Sequence, residues 1–432
     1  MAGNEYRTKI RPAQEAVSLI RSGMRLTIPL CCGLPQVLMS ALIEQKDRIR
    51  DVEIVSGLQI KYPFLADGLQ ESFTYRTWQC APPIRQLIPK GTVKYIPMRQ
   101  GDALKTFGRD GIWPIDAALI QVSPPDREGN MSLGVSIGHT LPLAEQAGLV
   151  IAEINERMPR VFGDTSINIS QVDAIVESEM PLLEYPSRHQ GTDTEKAIGD
   201  LVATLIPDGA YLQIGIGSIP EAVLAALKGK KGIGFFGMGV DGIVNLYESG
   251  ALEPIDKRKD SLPRVLITET LGTERIFNFI HENKLVEGYP IQRIINPWEA
   301  SKIERFISII SAIEIDIFGQ ANLETVGGSQ ISAVGGSFDF VEGAHFSAQG
   351  KSIIAMTAAS PDGKHSRIVS DLPRGSVVTI PRHCVNYVVT EFGVANLYGK
   401  SLAERAKCLI SVAHPDFRKE LKDAVKGKQV GL

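Results

Sequence analysis

Long apolar runs are missing from this 432-residue sequence. No stretch reaches the ~18 consecutive apolar residues of a membrane-spanning helix. The segment Met1 to Val17 is polar and mixed in charge, without the apolar core of a secretory signal. These absences lead us to expect a cytoplasmic protein with no membrane partner. Cysteine is scarce. Cys31, Cys32, Cys80, Cys384 and Cys408 form no CxxC pair, and an odd count fits reduced thiols better than a disulfide framework. Charge of one sign is not in excess: the net value is −3, which argues against a general nucleic-acid-binding surface. The seven histidines are dispersed, with neither HxxxH nor HEXXH spacing, so no metal site is expected. A GxSxG elbow is absent too, which removes the α/β-hydrolase serine.

What is present is glycine, 41 residues against the ~7% of an average chain. In a folded enzyme such an excess marks tight turns and close backbone approaches to a ligand. Val52-Glu-Ile-Val-Ser-Gly57, Ala117 to Val122, Leu149 to Ile154 and Ser376-Val-Val-Thr-Ile380 read as buried strands. Val37 to Arg48, Glu221 to Lys228 and Leu402 to Leu409 read as helices. This alternation predicts an α/β fold with mostly parallel sheets covered by helices.

The sequence also echoes itself. Leu19-Ile20, Gly23, Ile28, Pro35 and Ala41-Leu42 recur in order as Leu205-Ile206, Gly209, Ile214, Pro220 and Ala226-Leu227. The spacing drops by one residue after the strand, where a loop tolerates it. Each copy reads helix, turn glycine, strand, small-residue loop, proline at a helix start, helix. We therefore expect two similar open α/β domains, residues 1–188 and 189–432, joined through the polar, turn-rich stretch Tyr185 to Asp193.

Two glycine loops could hold an anion. In Gln213-Ile-Gly-Ile-Gly-Ser-Ile-Pro220 the glycines permit close backbone approach, and the helix start behind them offers free N–H groups. Proline at 220 breaks the dinucleotide fingerprint, and no Lys-Ser/Thr pair completes a P-loop. An ordinary tight turn is the plain alternative. Gln330 to Phe340 carries Gly335-Gly336, either an anion nest or a glycine-rich hairpin turn, followed by Asp339. Cys31-Cys32 occupy the loop of the first copy, as activated thiols or as small apolar fillers. Glu391 follows a strand-like run, facing a ligand or hydrogen-bonded within the fold.

Tyr387-Val-Val-Thr-Glu-Phe-Gly-Val-Ala-Asn-Leu-Tyr-Gly-Lys-Ser-Leu-Ala-Glu-Arg-Ala406 and Ala413-His-Pro-Asp-Phe-Arg418 resemble the acetyl-CoA hydrolase/transferase family, which includes 4-hydroxybutyrate and butyryl-CoA:acetate CoA-transferases. The likeness extends over Val122 to Asp126, Gly129, Ser132 to Gly134, Glu153 to Asn155, Met158 to Arg160, Gly163-Asp164, the Gln213 to Pro220 loop and Gly335-Gly336 to Asp339. The resemblance implies two α/β domains of CoA-transferase type. It implies CoA or acyl-CoA as substrate without a metal, a small carboxylic acid or water as second reactant, and a homo-oligomer. It places CoA against Gly215, Ile216, Gly217, Ser218 and Ile219, with Gly335 and Gly336 at the thioester. It also implies a glutamate that attacks the acyl-CoA carbonyl and becomes a glutamyl-CoA thioester.

At one point the chain departs from the family. A His-Ser-Glu-Met-Phe-Ser-Asp-Gly segment usually holds that glutamate, and here it reads Phe235-Phe-Gly-Met-Gly-Val-Asp-Gly242. The glutamate position is Gly237, which has no side chain to acylate. Ala333 likewise replaces a family glycine. Glu269, Glu391 and Asp241 are spare carboxylates, and Cys31 and Cys32 spare thiols. Three functions remain open: a CoA-transferase with a displaced carboxylate, an acyl-CoA or C–C bond hydrolase using water, and a non-catalytic CoA-binding subunit. An acyl pocket would draw on Pro29 to Leu34 and Leu58 to Phe64, with Leu30, Leu58, Tyr62, Phe64 and Trp78 suited to an apolar chain.

Overall fold

The computed structural model describes residues 2–186, 191–253, 263–426 and 428. The expected boundary after residue 188 and His189 lie outside the described residues. The chain divides into two compact units. One comprises Met1–Pro186, Gly237–Asp241 and Val265–Ile294; the other comprises Ser187–Phe236, Gly242–Arg264 and Ile295–Leu432.

The first unit holds a seven-stranded parallel sheet in the order Ala174–Ser178, Leu149–Asn155, Ala117–Val122, Arg25–Thr27, Val52–Val55, Phe73–Thr77, Val93–Tyr95. Its central strands are apolar on both faces because both are covered, as parallel sheets require. Strand Ala117–Val122 shows this residue by residue. Ala117 and Leu119 pack with Leu26, Ile54 and Ile151, while Ala118, Ile120 and Val122 enter a second core with Ala152 and Ile154. Helix Gln36–Glu44 starts after Pro35, which supplies no capping side chain. The buried carboxylate of Glu153 caps it from a distance, accepting the Val37 and Leu38 N–H groups at 2.9 and 3.0 Å. The same unit carries the parallel set Val265–Thr270, Val286–Gly288, Phe162–Gly163.

In the second unit, strands Tyr387–Thr390, Lys351–Ala355, Phe306–Ile310 and Tyr211–Ile214 are parallel neighbours. Tyr211 and Leu212 pair onward with Gly234 and Phe235, and Gly393–Asn396 closes the far edge antiparallel. Helix Asp193–Leu205 opens on a capping box between Thr192 and Glu195, and Leu402–Val412 on one between Ser401 and Glu404.

The echo segments share one element order. In the first unit it is Ala13–Val17, Arg25–Thr27, Gln36–Glu44; in the second, Asp193–Leu205, Tyr211–Ile214, Ser218–Ala226. The expected strand at Ser376–Ile380 does not form. Pro373 and Pro381 bracket it, Val377 and Val378 are exposed, the Val377 N–H donates to Thr325 Oγ1, and the Thr379 and Ile380 N–H groups share the Ala321 carbonyl. Only Ile380 meets a strand, in a single antiparallel bridge to Ala321, and one bridge does not make a ladder. No helix among the described residues is long and apolar enough to cross a membrane.

Candidate active site

Strand Val265–Thr270 is buried along its whole length, yet it ends Thr268-Glu269-Thr270. Residues 135–138 run antiparallel against it. The Ile137 and Gly138 N–H groups donate to the Thr268 carbonyl at 3.1 and 3.0 Å, and Thr270 N–H donates to the Val135 carbonyl at 2.8 Å. This register sets Gly138 against the Glu269 side chain. A Cβ added at Gly138 would lie 2.0 Å from Glu269 Oε1, so the glycine leaves the room the carboxyl occupies.

Glu269 is 1% exposed, and neither of its oxygens makes a hydrogen bond of normal geometry. Burial raises its pKa to about 8; the nearby Ser136 hydroxyl, which favours the ionised form, offsets this only in part. Ser136 Oγ itself accepts the Leu30 N–H at 2.9 Å. At neutral pH Glu269 is therefore mainly a neutral acid.

Other buried polar atoms of this unit also lack partners: Thr268 Oγ1 and Thr270 Oγ1 on the same strand, and Gln59 Oε1, Trp78 Nε1 and His139 Nδ1. The last three lie around the 28–34 loop. Cys31 bridges Gln59, and the Cys31 N–H reaches the Leu58 carbonyl at 2.8 Å. His139 Nε2 lies 3.2 Å from the Ile28 carbonyl, so that nitrogen carries the proton and Nδ1 faces inward as an acceptor. Trp78 meets the His139 ring edge-on at 5.1 Å. Burial lowers the His139 pKa to about 4, so the ring is neutral. Each unpaired buried group costs about 1–3 kcal/mol. Folded proteins keep few of them, and a cluster marks a place where polar chemistry is done.

The other carboxylates named from the sequence are engaged. Asp241 accepts the N–H groups of Thr273 and Ile276 and the Thr273 hydroxyl, capping helix Glu274–Ile280. Glu391, in the second unit, accepts the Ala358 N–H at 2.9 Å and has Arg367 as its charge partner. Both thiols are buried. Burial pushes Cys31 well above the usual thiol range and Cys32 to about 12. They sit beside Glu269 as neutral thiols, which are poor nucleophiles.

Gly237 is buried in strand Gly234–Gly239 at φ +140°, a conformation that side chains rarely adopt. That strand runs beside Val265–Thr270. Leu271 N–H donates to the Gly239 carbonyl at 2.9 Å, and the face of Gly239 looks onto Thr270 and Ile267.

The glycine loops belong to the second unit. Gly217 has φ +123° and nothing within 4 Å of where a Cβ would stand. Ile216 is 44% exposed, and helix Ser218–Ala226 begins there, with the Ser218 hydroxyl donating to Glu195. Gly335 and Gly336 lead into helix Ser337–Phe346, with Asp339 buried in its first turn. The hairpin lies just before them, between Thr325–Val326 and Ser329–Gln330. The structure thus gathers Glu269, Asp241, Gly237, Cys31 and Cys32 in one unit, and Gly215 to Ile219, Gly335, Gly336 and Glu391 in the other. Sequence reasoning passed over Ser136, Gly138, His139 and the two threonines. The available signal was Thr-Glu-Thr inside an otherwise apolar strand. Among the described residues no group of three or more His, Cys, Asp or Glu is placed to hold a metal.

Residues 2–184 match the acetyl-CoA hydrolase/transferase N-terminal domain, and residues 272–425 match the C-terminal domain. The chain is 41% identical over 424 residues to a 4-hydroxybutyrate coenzyme A transferase of Clostridium kluyveri, covering 98% of each protein. It is 36% identical to a butyryl-CoA:acetate CoA-transferase of Anaerostipes caccae, covering 98% of this chain and 97% of that one. The crystal structure of RipA from Yersinia pestis superposes with a TM-score of 0.91 at 32% identity, over 99% of both chains. A 4-hydroxybutyrate CoA-transferase from Porphyromonas gingivalis does so at 0.81 and 32%, over 99% of this chain and all of that one. Both family domains are present, and the likeness runs the length of the chain, so the protein belongs to the acetyl-CoA hydrolase/transferase family and is an enzyme of the CoA-transferase kind.

Proposed function

We propose that this enzyme moves CoA between an acyl-CoA and a small carboxylate such as acetate, 4-hydroxybutyrate or butyrate. The observation that carries the reading is full-length identity of 34–41% to three CoA-transferases. The chemistry of the first unit agrees with it. Exchange between two carboxylates must keep water from the activated acyl group, and a buried cluster of polar groups with apolar neighbours suits that need. Leu30, Trp78 and Phe64 are fully or almost fully buried and give the acyl side an apolar character. In the second unit we assign Gly215, Ile216, Gly217, Ser218 and Ile219 to CoA contact, because the open backbone and the helix start offer N–H groups to an anion. Gly335 and Gly336, also ahead of a helix, are assigned to the thioester end.

Incubating the enzyme with several acyl-CoAs, with and without acetate, tests the reading. CoA exchange that requires the carboxylate supports transfer. Free thiol released equally without it indicates a hydrolase, and CoA binding without turnover indicates a non-catalytic subunit. The loop assignment is checked by Gly217→Val. The space there is open, so the fold should survive, with a strain of about 1–3 kcal/mol from the positive φ. CoA affinity should fall at least about tenfold, worth ~1.4 kcal/mol. Unchanged affinity in the folded variant would remove this loop from the site.

A further inference from the structure

We infer that Glu269 is the nucleophile of the transfer, acting from strand Val265–Thr270 in place of a side chain that Gly237, on the strand beside it, does not have. The inference rests on the CoA-transfer reading. Three observations carry it. Glu269 is buried with both carboxyl oxygens unpartnered, whereas Asp241 is spent on a helix cap and Glu391 on a backbone N–H. Gly138, by lacking a Cβ, leaves the room that Oε1 occupies. Trp78 Nε1, unpaired and edge-on to the His139 ring next to Gly138, is a potential donor of the kind that stabilises a developing oxyanion.

A carboxylate is the nucleophile this exchange needs. The ionised Glu269 oxygen attacks the thioester carbonyl; the C–S bond breaks, CoA leaves as thiolate, and an acyl-glutamyl anhydride forms. The thiolate then attacks the glutamyl carbonyl, releasing the first acid and leaving a glutamyl-CoA thioester. The incoming carboxylate attacks that carbonyl and expels thiolate, giving a second anhydride. Attack of thiolate on the new acyl carbonyl yields the product acyl-CoA and restores Glu269. No water and no net proton are consumed, and the thioester energy is retained at every step.

The titratable groups coupled to Glu269 are Cys31 and Cys32 from the 28–34 loop, with Asp241 and Glu184 acting on Cys32, and His139 follows Gly138 in the chain. The thiols and the imidazole stay neutral through neutral pH, so a rise of kcat/KM toward pH 8 reports Glu269 losing its proton.

The test uses the full chain with butyryl-CoA and acetate, trapped with borohydride and mapped by peptide mass spectrometry. The reduced adduct is expected on Glu269 and not on residues 235–242. Glu269→Gln should lower turnover by about a thousandfold while CoA binding persists. Glu269→Asp draws the oxygens back by about one bond and should cost roughly a hundredfold. If Glu269→Gln does not fold, the wild-type trap and Glu269→Asp still decide. Exchange with the adduct on another residue, or with Glu269→Gln as active as wild type, overturns this assignment and leaves the transfer reading standing. A wild-type enzyme that binds CoA but exchanges nothing overturns both.

Discussion

Glu269→Gln is expected to make the protein progressively more stable, relative to wild type, as pH rises from about 5 to about 9. The carboxyl is held near 8 in the fold by burial, against an ordinary value of 4.5. Below 4.5 both the native and the unfolded chain keep the proton, and nothing is lost. Between 4.5 and about 8 the unfolded chain releases it and the native state does not, so native stability falls with rising pH. Above that range the native state carries a buried anion, and the loss is complete at roughly 5 kcal/mol as an upper value. Glutamine keeps the shape and cannot ionise. Denaturant unfolding of both proteins at about pH 5, 7 and 9 measures the divergence. Parallel curves would show that Glu269 does not titrate in this range. An active-site group that costs stability in the ionised form needed for reaction is a familiar trade in enzymes.

Gly199→Val should be the most damaging of the glycine substitutions near the proposed CoA loop. Helices Asp193–Leu205 and Ser218–Ala226 cross at this residue with backbone against backbone. A Cβ on Gly199 would stand 2.7 Å from both the carbonyl carbon and oxygen of Ala222 and 3.0 Å from the Val223 nitrogen. No rotamer relieves a clash with main chain, so the helices must separate, loosening Ile198 and Val202 from Val223 and Leu224. On an exposed helix, replacing glycine by alanine would gain about 1 kcal/mol of propensity. Here overpacking, about 1–3 kcal/mol and more for a branched side chain, outweighs that gain. Gly199→Ala should already lower the melting temperature, and Gly199→Val should lower it further. CoA affinity should fall as well, because Ser218–Ala226 begins at the Gly215–Ile219 loop. Gly229, with nothing within 4 Å, is the control, and its alanine variant should melt with wild type. Equal melting of Gly199→Val and the control would mean that the two helices are not packed this closely.

Much of the architecture was legible from residue order alone. Strands such as Ala117–Val122 and helices such as Leu402–Val412 carry their own periodicity and caps, and these are local properties of the chain. The family motifs were legible for the same reason: contiguous residues such as Tyr387 to Ala406 are matched without knowing what they touch. So was the glycine at 237, where the resemblance implies a glutamate. Local pattern misled at Ser376–Ile380, where the strand-like composition is real but the pairing stops at one bridge, from Ile380 to Ala321. The standing of the spare carboxylates could not be read this way. Glu269, Glu391 and Asp241 are equal in sequence. They differ in what lies beside them: Thr273 and Ile276 for Asp241, Ala358 for Glu391, and for Glu269 a glycine brought from far along the chain at 138. Desolvation and hydrogen-bond satisfaction depend on neighbours in space, and only the fold supplies those neighbours.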